Sequence, residues 1–166
     1  RNNLHQVVHA TRKALSEIGF GGASGVAVHG DLLVLAAGAT VRSDLRSLQE
    51  QVGAAVAAGR TDEAARRLLE VAPELLPEDR YESWAAAHVA QFHEWRTQVV
   101  MDLVESDLAA GEPGKAAVLL APILGAEPLH EPATREMMRA LAATGRRSEA
   151  LLLYERLRGV LRDELA

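Results

Sequence analysis

Apolar residues recur at helical spacing in the first 18 positions. Projection at 100° per residue puts one polar face opposite one apolar face, and the apolar face holds Leu4, Val7, Val8, Thr11, Ala14, Leu15 and Ile18. The glycine-rich segment at 19–25 should end this helix, because successive glycines do not sustain one. Two short β-type runs flank His29, Gly30 and Asp31 and predict a hairpin. Residues 1–40 therefore predict a helix, a link and a hairpin.

From Val41 onwards the hydrophobic period is helical throughout. Glycines and prolines divide this part of the chain into segments of helical length. The predicted helices lie at residues 43–58, 62–72, 81–110, 114–124, 132–144 and 147–163. The sequence therefore predicts a mostly α protein with a small β element near its N-terminus.

A short motif occurs three times in the helical part, as "GRTDEA" at 59–64, "GEPGKA" at 111–116 and "GRRSEA" at 145–150. Each copy places glycine five residues before alanine, and the last two copies are 34 residues apart. This spacing resembles the tetratricopeptide repeat, in which a Gly ends one helix, an Ala lies where paired helices touch and a Pro closes the second helix. It predicts stacked helix pairs, with packing roles for Gly111, Ala116, Pro128, Gly145 and Ala150.

Composition excludes several classes of protein. The 166 residues include no cysteine, which rules out a disulfide framework and a thiolate metal site and favours a reducing, cytoplasmic setting. The longest apolar run, at 116–126, contains Pro122 and is too short to cross a bilayer, so no membrane partner is expected. No signal-like segment is present. Because the chain opens on Arg1 inside a helical pattern, we expect it to be a fragment of a longer protein.

Charge is distributed unevenly along the chain. The net charge is −5, but residues 1–40 carry three basic and two acidic side chains, a net of +1. The remainder holds −6 and does not attract a polyanion, so DNA contact would have to come from the first helix. The polar face of that helix has no acid before Glu17, and it carries His5, Gln6, His9, Arg12 and Lys13.

This polar face suits a DNA-reading helix. A helix can enter the major groove, where Gln or Arg reads base edges and Arg or Lys meets phosphates. The alternative is an ordinary solvated helix face. The hairpin directly behind the helix favours the DNA-binding interpretation, because a winged helix-turn-helix has this order of parts.

Other chemistry has weaker support. "GFGGASG" at 19–25 contains enough glycine for a phosphate loop, but no strand precedes it and no Gly-Lys-Ser/Thr follows. His5 and His9 have the i, i+4 spacing of metal ligands without a neighbouring Glu or an evident third ligand. No Ser-His-Asp or Cys-His arrangement is evident. We therefore expect no metal, no cofactor and no enzymatic activity.

Two groups of segments resemble known families. "LLPEDRYESW" at 75–84, "FHEWR" at 92–96 and "EPLHEPATREMMRALAATGRRSEALLLYERLRGVLRDEL" at 127–165 resemble the bacterial transcriptional activator domain. That domain is the tetratricopeptide-like module of SARP-type antibiotic regulators and of related large ATPase regulators. "NNLHQVVHATRKAL" at 2–15 and "GVAVHGDLLVLAAGATVRSDL" at 25–45 are similar to the recognition helix, wing and linker of an OmpR-type winged helix.

The resemblance implies a division of the chain and a role for each part. Residues 1–40 would be the C-terminal part of a winged-helix DNA-binding domain, and residues 41–166 the activator domain. The five polar residues named above would form the recognition surface, with Leu4, Val8 and Leu15 as its buried side. The protein would bind double-stranded promoter DNA, contact RNA polymerase and self-associate as a homo-oligomer. The alternative is a protein-interaction scaffold of a larger signalling ATPase, with a degenerate winged helix that does not bind DNA.

Two tryptophans test the predicted packing. Trp84 and Trp95 are eleven residues apart on the helix predicted at 81–110, which is close to three turns, so they share a face. We expect both to be buried against neighbouring helices.

Overall fold

The computed structural model describes residues 2–19, 25–29, 32–35, 42–71, 75–79 and 81–164. Its internal contacts divide the chain into two compact units, Arg1–Ser47 and Leu48–Ala166. Each unit has its own elements and is considered separately.

The first unit contains a helix and a hairpin. Helix α1 (Asn2–Glu17) is followed by strands β1 (Val26–His29) and β2 (Leu32–Leu35). The strands are antiparallel, and His29 pairs with Leu32 next to the turn. The predicted helix and hairpin are confirmed, whereas Gly30 and Asp31, which the sequence places between the two strands, lie outside the described residues.

Six further helices make up the rest of the described chain. They are α2 (Asp44–Ala57), α3 (Thr61–Glu70), α4 (Ser83–Ala109), α5 (Pro113–Ala126), α6 (Glu131–Ala143) and α7 (Arg147–Glu164). Their bounds agree with the predicted ones to within about two residues, because glycine and proline mark most of the junctions. The mostly α fold is confirmed.

The core of the second unit is built from small residues. Consecutive helices from α3 to α7 pack against one another, and α4 also contacts α6. Alanines are frequent in this core, which allows close approach of the helices, and Phe92 of α4 is a buried aromatic residue of the same unit. The buried set comprises Val52, Ala55, Ala64, Leu68, Val100, Leu103, Val104, Ala116, Leu119, Leu120, Ala133 and Ala140.

The repeated glycines end helices in the same way. After α6, the amide of Gly145 donates to the Ala142 carbonyl at 3.1 Å and the amide of Arg146 donates to the Leu141 carbonyl at 2.8 Å. Together with the left-handed φ of +80° at Gly145, these bonds form a Schellman motif. The same bonds and a positive φ occur at Gly59 (φ +70°) and Gly111 (φ +76°).

The expectation that both tryptophans are buried is wrong for Trp84. Its side chain is 56% exposed, whereas Trp95 is half-buried and its ring lies 5.9 Å from that of Phe92. The 27 residues of α4 extend over roughly 40 Å, about twice the length of α5 with its 14 residues. The helices that pack against α4 therefore do not cover its first turns completely.

Candidate functional site

The five predicted recognition residues lie together on one surface of α1. His5, Gln6, His9, Arg12 and Lys13 are all exposed. Their positions cover about a third of the helix circumference. Glu17 is the only acidic residue in the sequence of α1, and it lies at the C-terminal end. The surface therefore presents imidazole, amide and cationic groups without a competing carboxylate over most of its length.

The hairpin holds α1 by a small apolar contact and one hydrogen bond. Val8 and Val26 are buried, and Leu15 is half-buried. Arg12 Nε donates to the Val26 carbonyl oxygen at 3.0 Å. Arg12 lies four residues after Val8 and three before Leu15, so it is located at the border between the polar and the buried faces. It thus attaches α1 to β1, a role that the sequence analysis missed.

The expected buried side of α1 is only partly buried. Leu4 was expected to be buried, but it is 57% exposed, and Val7 and Ile18 are exposed as well. Among the described elements, β1 makes the main contact with α1. Four residues of strand extend over roughly 13 Å and cannot cover a helix of roughly 24 Å. Val8 is therefore buried, whereas apolar residues nearer the two ends of α1 stay exposed.

The predicted packing positions are located at the helix junctions. Gly111 and Gly145 have the left-handed φ that ends α4 and α6. Five residues further on, Ala116 and Ala150 are buried in the first turns of α5 and α7. Pro128 is exposed in the turn between α5 and α6. The glycine and alanine positions thus belong to the helix junctions, whereas Pro128 does not contribute to the core.

Ion pairs follow two of the helix-ending glycines, Gly59 and Gly145. Arg60 pairs with Glu63 at 2.9 Å, and Arg146 pairs with Glu149 at 2.6 Å, each three residues apart after a Schellman glycine. Hydrogen bonds from Arg60, and then from Arg67, lower the pKa of Glu63. These pairs are at the surface, where each contributes little to stability.

The second copy of the repeated motif, at 111–116, forms an ion pair with a different helix. Lys115 in α5 donates to Asp62 in α3 at 2.9 Å, and this hydrogen bond raises the pKa of the Lys115 ammonium. The two residues are 53 positions apart in sequence. This contact connects the N-terminal turns of two helices that are not consecutive.

Two further properties concern the described residues alone. They contain no group of three or more His, Asp or Glu side chains placed to hold a metal ion. None of their helices is both long enough and apolar enough to span a bilayer.

The helical part of the chain matches a known family. The sequence profile of the bacterial transcriptional activator domain matches residues 44–166, about three quarters of the chain. The chain therefore belongs to this family of transcriptional activators, and the resemblance of its helical part to the activator domain is confirmed. It is also similar to the regulatory protein AfsR of Streptomyces coelicolor, with 34% identity over 82 residues. That match covers 49% of this chain and 8% of AfsR.

Proposed function

We propose that this protein is a DNA-binding transcriptional activator without enzymatic activity. Residues 1–40 would contact double-stranded promoter DNA through α1. Residues 41–166 would contact RNA polymerase and a second copy of the chain. The observation that carries this proposal is the family match over residues 44–166, because that family consists of domains of transcriptional activators. The proposed compartment is the cytoplasm, where promoter DNA and polymerase are found in bacteria.

The exposed face of α1 supports the DNA contact. Lys13 makes no ion pair with the described residues, so its ammonium is available to a phosphate. Arg12 uses Nε for the Val26 carbonyl, which leaves its two terminal nitrogens for DNA. His5, Gln6 and His9 lie towards the start of the helix, where short polar groups can reach base edges in the major groove.

The charge distribution supports a division of labour. A net charge of +1 over residues 1–40 and −6 over the rest favours DNA contact at the front and disfavours it on the helical domain. Helices stacked side by side present long surfaces, which suit protein partners better than a groove in DNA. This is the basis for assigning the polymerase contact and self-association to α2–α7.

The experiment is a selection of binding sequences from random duplex DNA with the native gene product, followed by titrations at several salt concentrations. The proposal predicts an enriched sequence motif and an affinity that falls steeply with salt. The alternative, a helical scaffold with a degenerate winged helix, predicts that no motif is enriched even at low salt. In that case, interaction with protein partners would be retained while DNA binding is absent.

A further inference from the structure

A cavity lies between α3, α4 and α5, within the second unit. Its volume is about 460 Å³, which is in the usual range of small-molecule sites. Most of its wall is apolar and comes from all three helices. The apolar lining includes Leu68, Val89, Val100, Leu119 and Ile123.

Three polar side chains of α4 line the same cavity. They are His93, Arg96 and Thr97, and their i, i+3, i+4 spacing puts them on one face of the helix. They overlap the "FHEWR" segment, to which no functional role was assigned from sequence. A few convergent polar groups in an otherwise apolar cavity are typical of a ligand site.

Arg96 is the distinctive group of the cavity. Its side chain is half-buried, and Nη2 donates to the Leu68 carbonyl oxygen at 3.3 Å. No carboxylate of the described residues is within ion-pair distance of it. Burial lowers the pKa of the guanidinium, yet an arginine stays protonated in proteins. Arg96 is therefore a cation in an apolar site, and several of its N–H donors have no acceptor among the described residues, an arrangement that an anionic partner would stabilise.

We propose that this cavity binds a small organic anion, with an acidic group on Arg96 and an apolar body among the leucine and valine side chains. The apolar wall accounts for the body of the ligand, and Arg96 accounts for its charge. A carboxylate or a sulfonate can accept two parallel N–H bonds from a guanidinium. The site belongs to the helical domain and does not depend on the proposed DNA contact of α1.

Glu127 provides a second test, in which removal of a charge should strengthen anion binding rather than weaken it. It follows α5, is exposed and also lines the cavity. Its carboxylate repels an anion at the rim, whereas it would attract a cationic ligand. Removal of this charge should therefore strengthen the binding of an anion.

The first experiment is a fluorescence titration of the 166-residue chain with anilinonaphthalene sulfonate, an anion with an apolar aromatic body. We expect saturable binding that weakens about tenfold in Arg96→Met, which removes one charge-assisted pair. Arg66→Met is the matched control, because Arg66 is an exposed residue of α3 that pairs with Glu70. This variant should bind the probe as the unaltered chain does, and Glu127→Gln should bind it a fewfold more tightly.

A second pair of variants tests the cavity without altering Arg96. Gly125 lines the cavity, and a β-carbon there meets no other atom within 4 Å. Gly125→Leu should occupy the space and weaken probe binding. Gly114→Leu is the control, because Gly114 is in the same helix, has the same open surroundings and does not line this cavity.

Three results would overturn the proposal. The first is the absence of saturable probe binding by the unaltered chain. The second is an unchanged probe affinity in both Arg96→Met and Gly125→Leu. The third is a lower melting temperature in Arg96→Met with unchanged probe affinity, which would mean that Arg96 only supports the Leu68 carbonyl. If Arg96→Met does not fold, Arg96→Lys keeps the charge and should still bind the probe, less tightly because it lacks the bidentate fork.

Discussion

At the scale of single residues, Asp107 stands out because the fold works against its charge. It is buried near the C-terminal end of α4, where the helix dipole disfavours an anion. Burial is the main cause that raises its pKa, and Asp62 and Glu112 add to the effect, while Lys115 opposes it. Since the folded-state pKa is above the unfolded one, the ionised carboxylate destabilises the fold. This penalty is absent well below the ordinary pKa and develops as the pH rises through the raised value.

Replacement of Asp107 by Asn should therefore stabilise the protein at neutral pH and change little in acid. The measurement is thermal unfolding of both proteins from about pH 3 to about pH 7. Glu105→Gln, at an exposed position of the same helix, is the control and should shift the melting temperature only slightly at any pH. A lower melting temperature for Asp107→Asn at neutral pH would contradict the assignment.

Two glycines should respond in opposite ways to the same added methyl group. Gly145 has a φ of +80°, whereas Gly159 lies inside α7, and neither has an atom within 4 Å of an added β-carbon. Gly145→Ala should lower the free energy of unfolding by about 1–2 kcal/mol, because a residue with a β-carbon is unfavourable in the left-handed conformation. Gly159→Ala should stabilise by about 0.5–1 kcal/mol, because alanine favours a helix interior. Chemical denaturation of both variants measures the difference, and effects of the same sign would refute this account.

Ala150 should not tolerate a larger side chain. It is 7% exposed in the first turn of α7, which packs on α6. Ala150→Leu should overpack this contact and cost about 1–3 kcal/mol. The same change at exposed Ala142 in α6 is the matched control and should leave the denaturation midpoint nearly unaltered. Equal midpoints for the two variants would show that Ala150 is not a close-packing position.

At the scale of elements, two neighbouring cations of α1 that look equivalent in the sequence have different structural roles. Arg12 donates to the Val26 carbonyl, but Lys13 makes no such bond within the described residues. Under the proposed function, charge reversal at both positions would therefore combine a loss of DNA contact with a loosened hairpin. The double substitution is a poor test of DNA binding, and Lys13 has to be tested alone.

Lys13→Glu in the native gene product should weaken DNA binding and leave the melting temperature unchanged. Loss of one phosphate contact should also reduce the slope of log affinity against log salt by about one. Fluorescence anisotropy with the selected duplex gives both quantities. Ser16→Ala is the control, because it alters the same exposed face without a change of charge. An unchanged slope in Lys13→Glu would place DNA elsewhere on the protein.

The elements also show what sequence could and could not predict. Helix bounds were predicted closely, because glycine and proline mark the junctions in the sequence. The exposure of Trp84 was not predicted, since it depends on the length of neighbouring helices rather than on periodicity within α4. The role of Arg12 depends on the hairpin 14 residues away, although its spacing from Val8 was a usable signal. The cavity around Arg96 needs three helices at once, and no local pattern indicates it. The tetratricopeptide-like interpretation of the repeat stays a prediction.

At the scale of the whole chain, acidic and basic residues are unevenly distributed. The basic excess lies in the first 40 residues, and the acidic excess follows it. A negative helical domain repels DNA over a range of about 10 Å at moderate salt. This repulsion agrees with the proposal that DNA is contacted by residues 1–40. Under the proposed function, the same charge leaves the helical surface free for protein partners.

The packing of each helix mainly on its neighbours in sequence has a consequence for how the domain opens. In such an arrangement, stability is distributed locally, and individual helices can detach without loss of the rest. Helix α5 lies between α4 and α6, whereas α7 packs on α6 and exposes Leu151 and Leu152. Backbone amides of α5 should therefore exchange with deuterium most slowly and those of α7 much faster. A partner that covers α7 would slow its exchange and leave that of α5 nearly unaltered, so exchange rates could locate a bound partner on this domain.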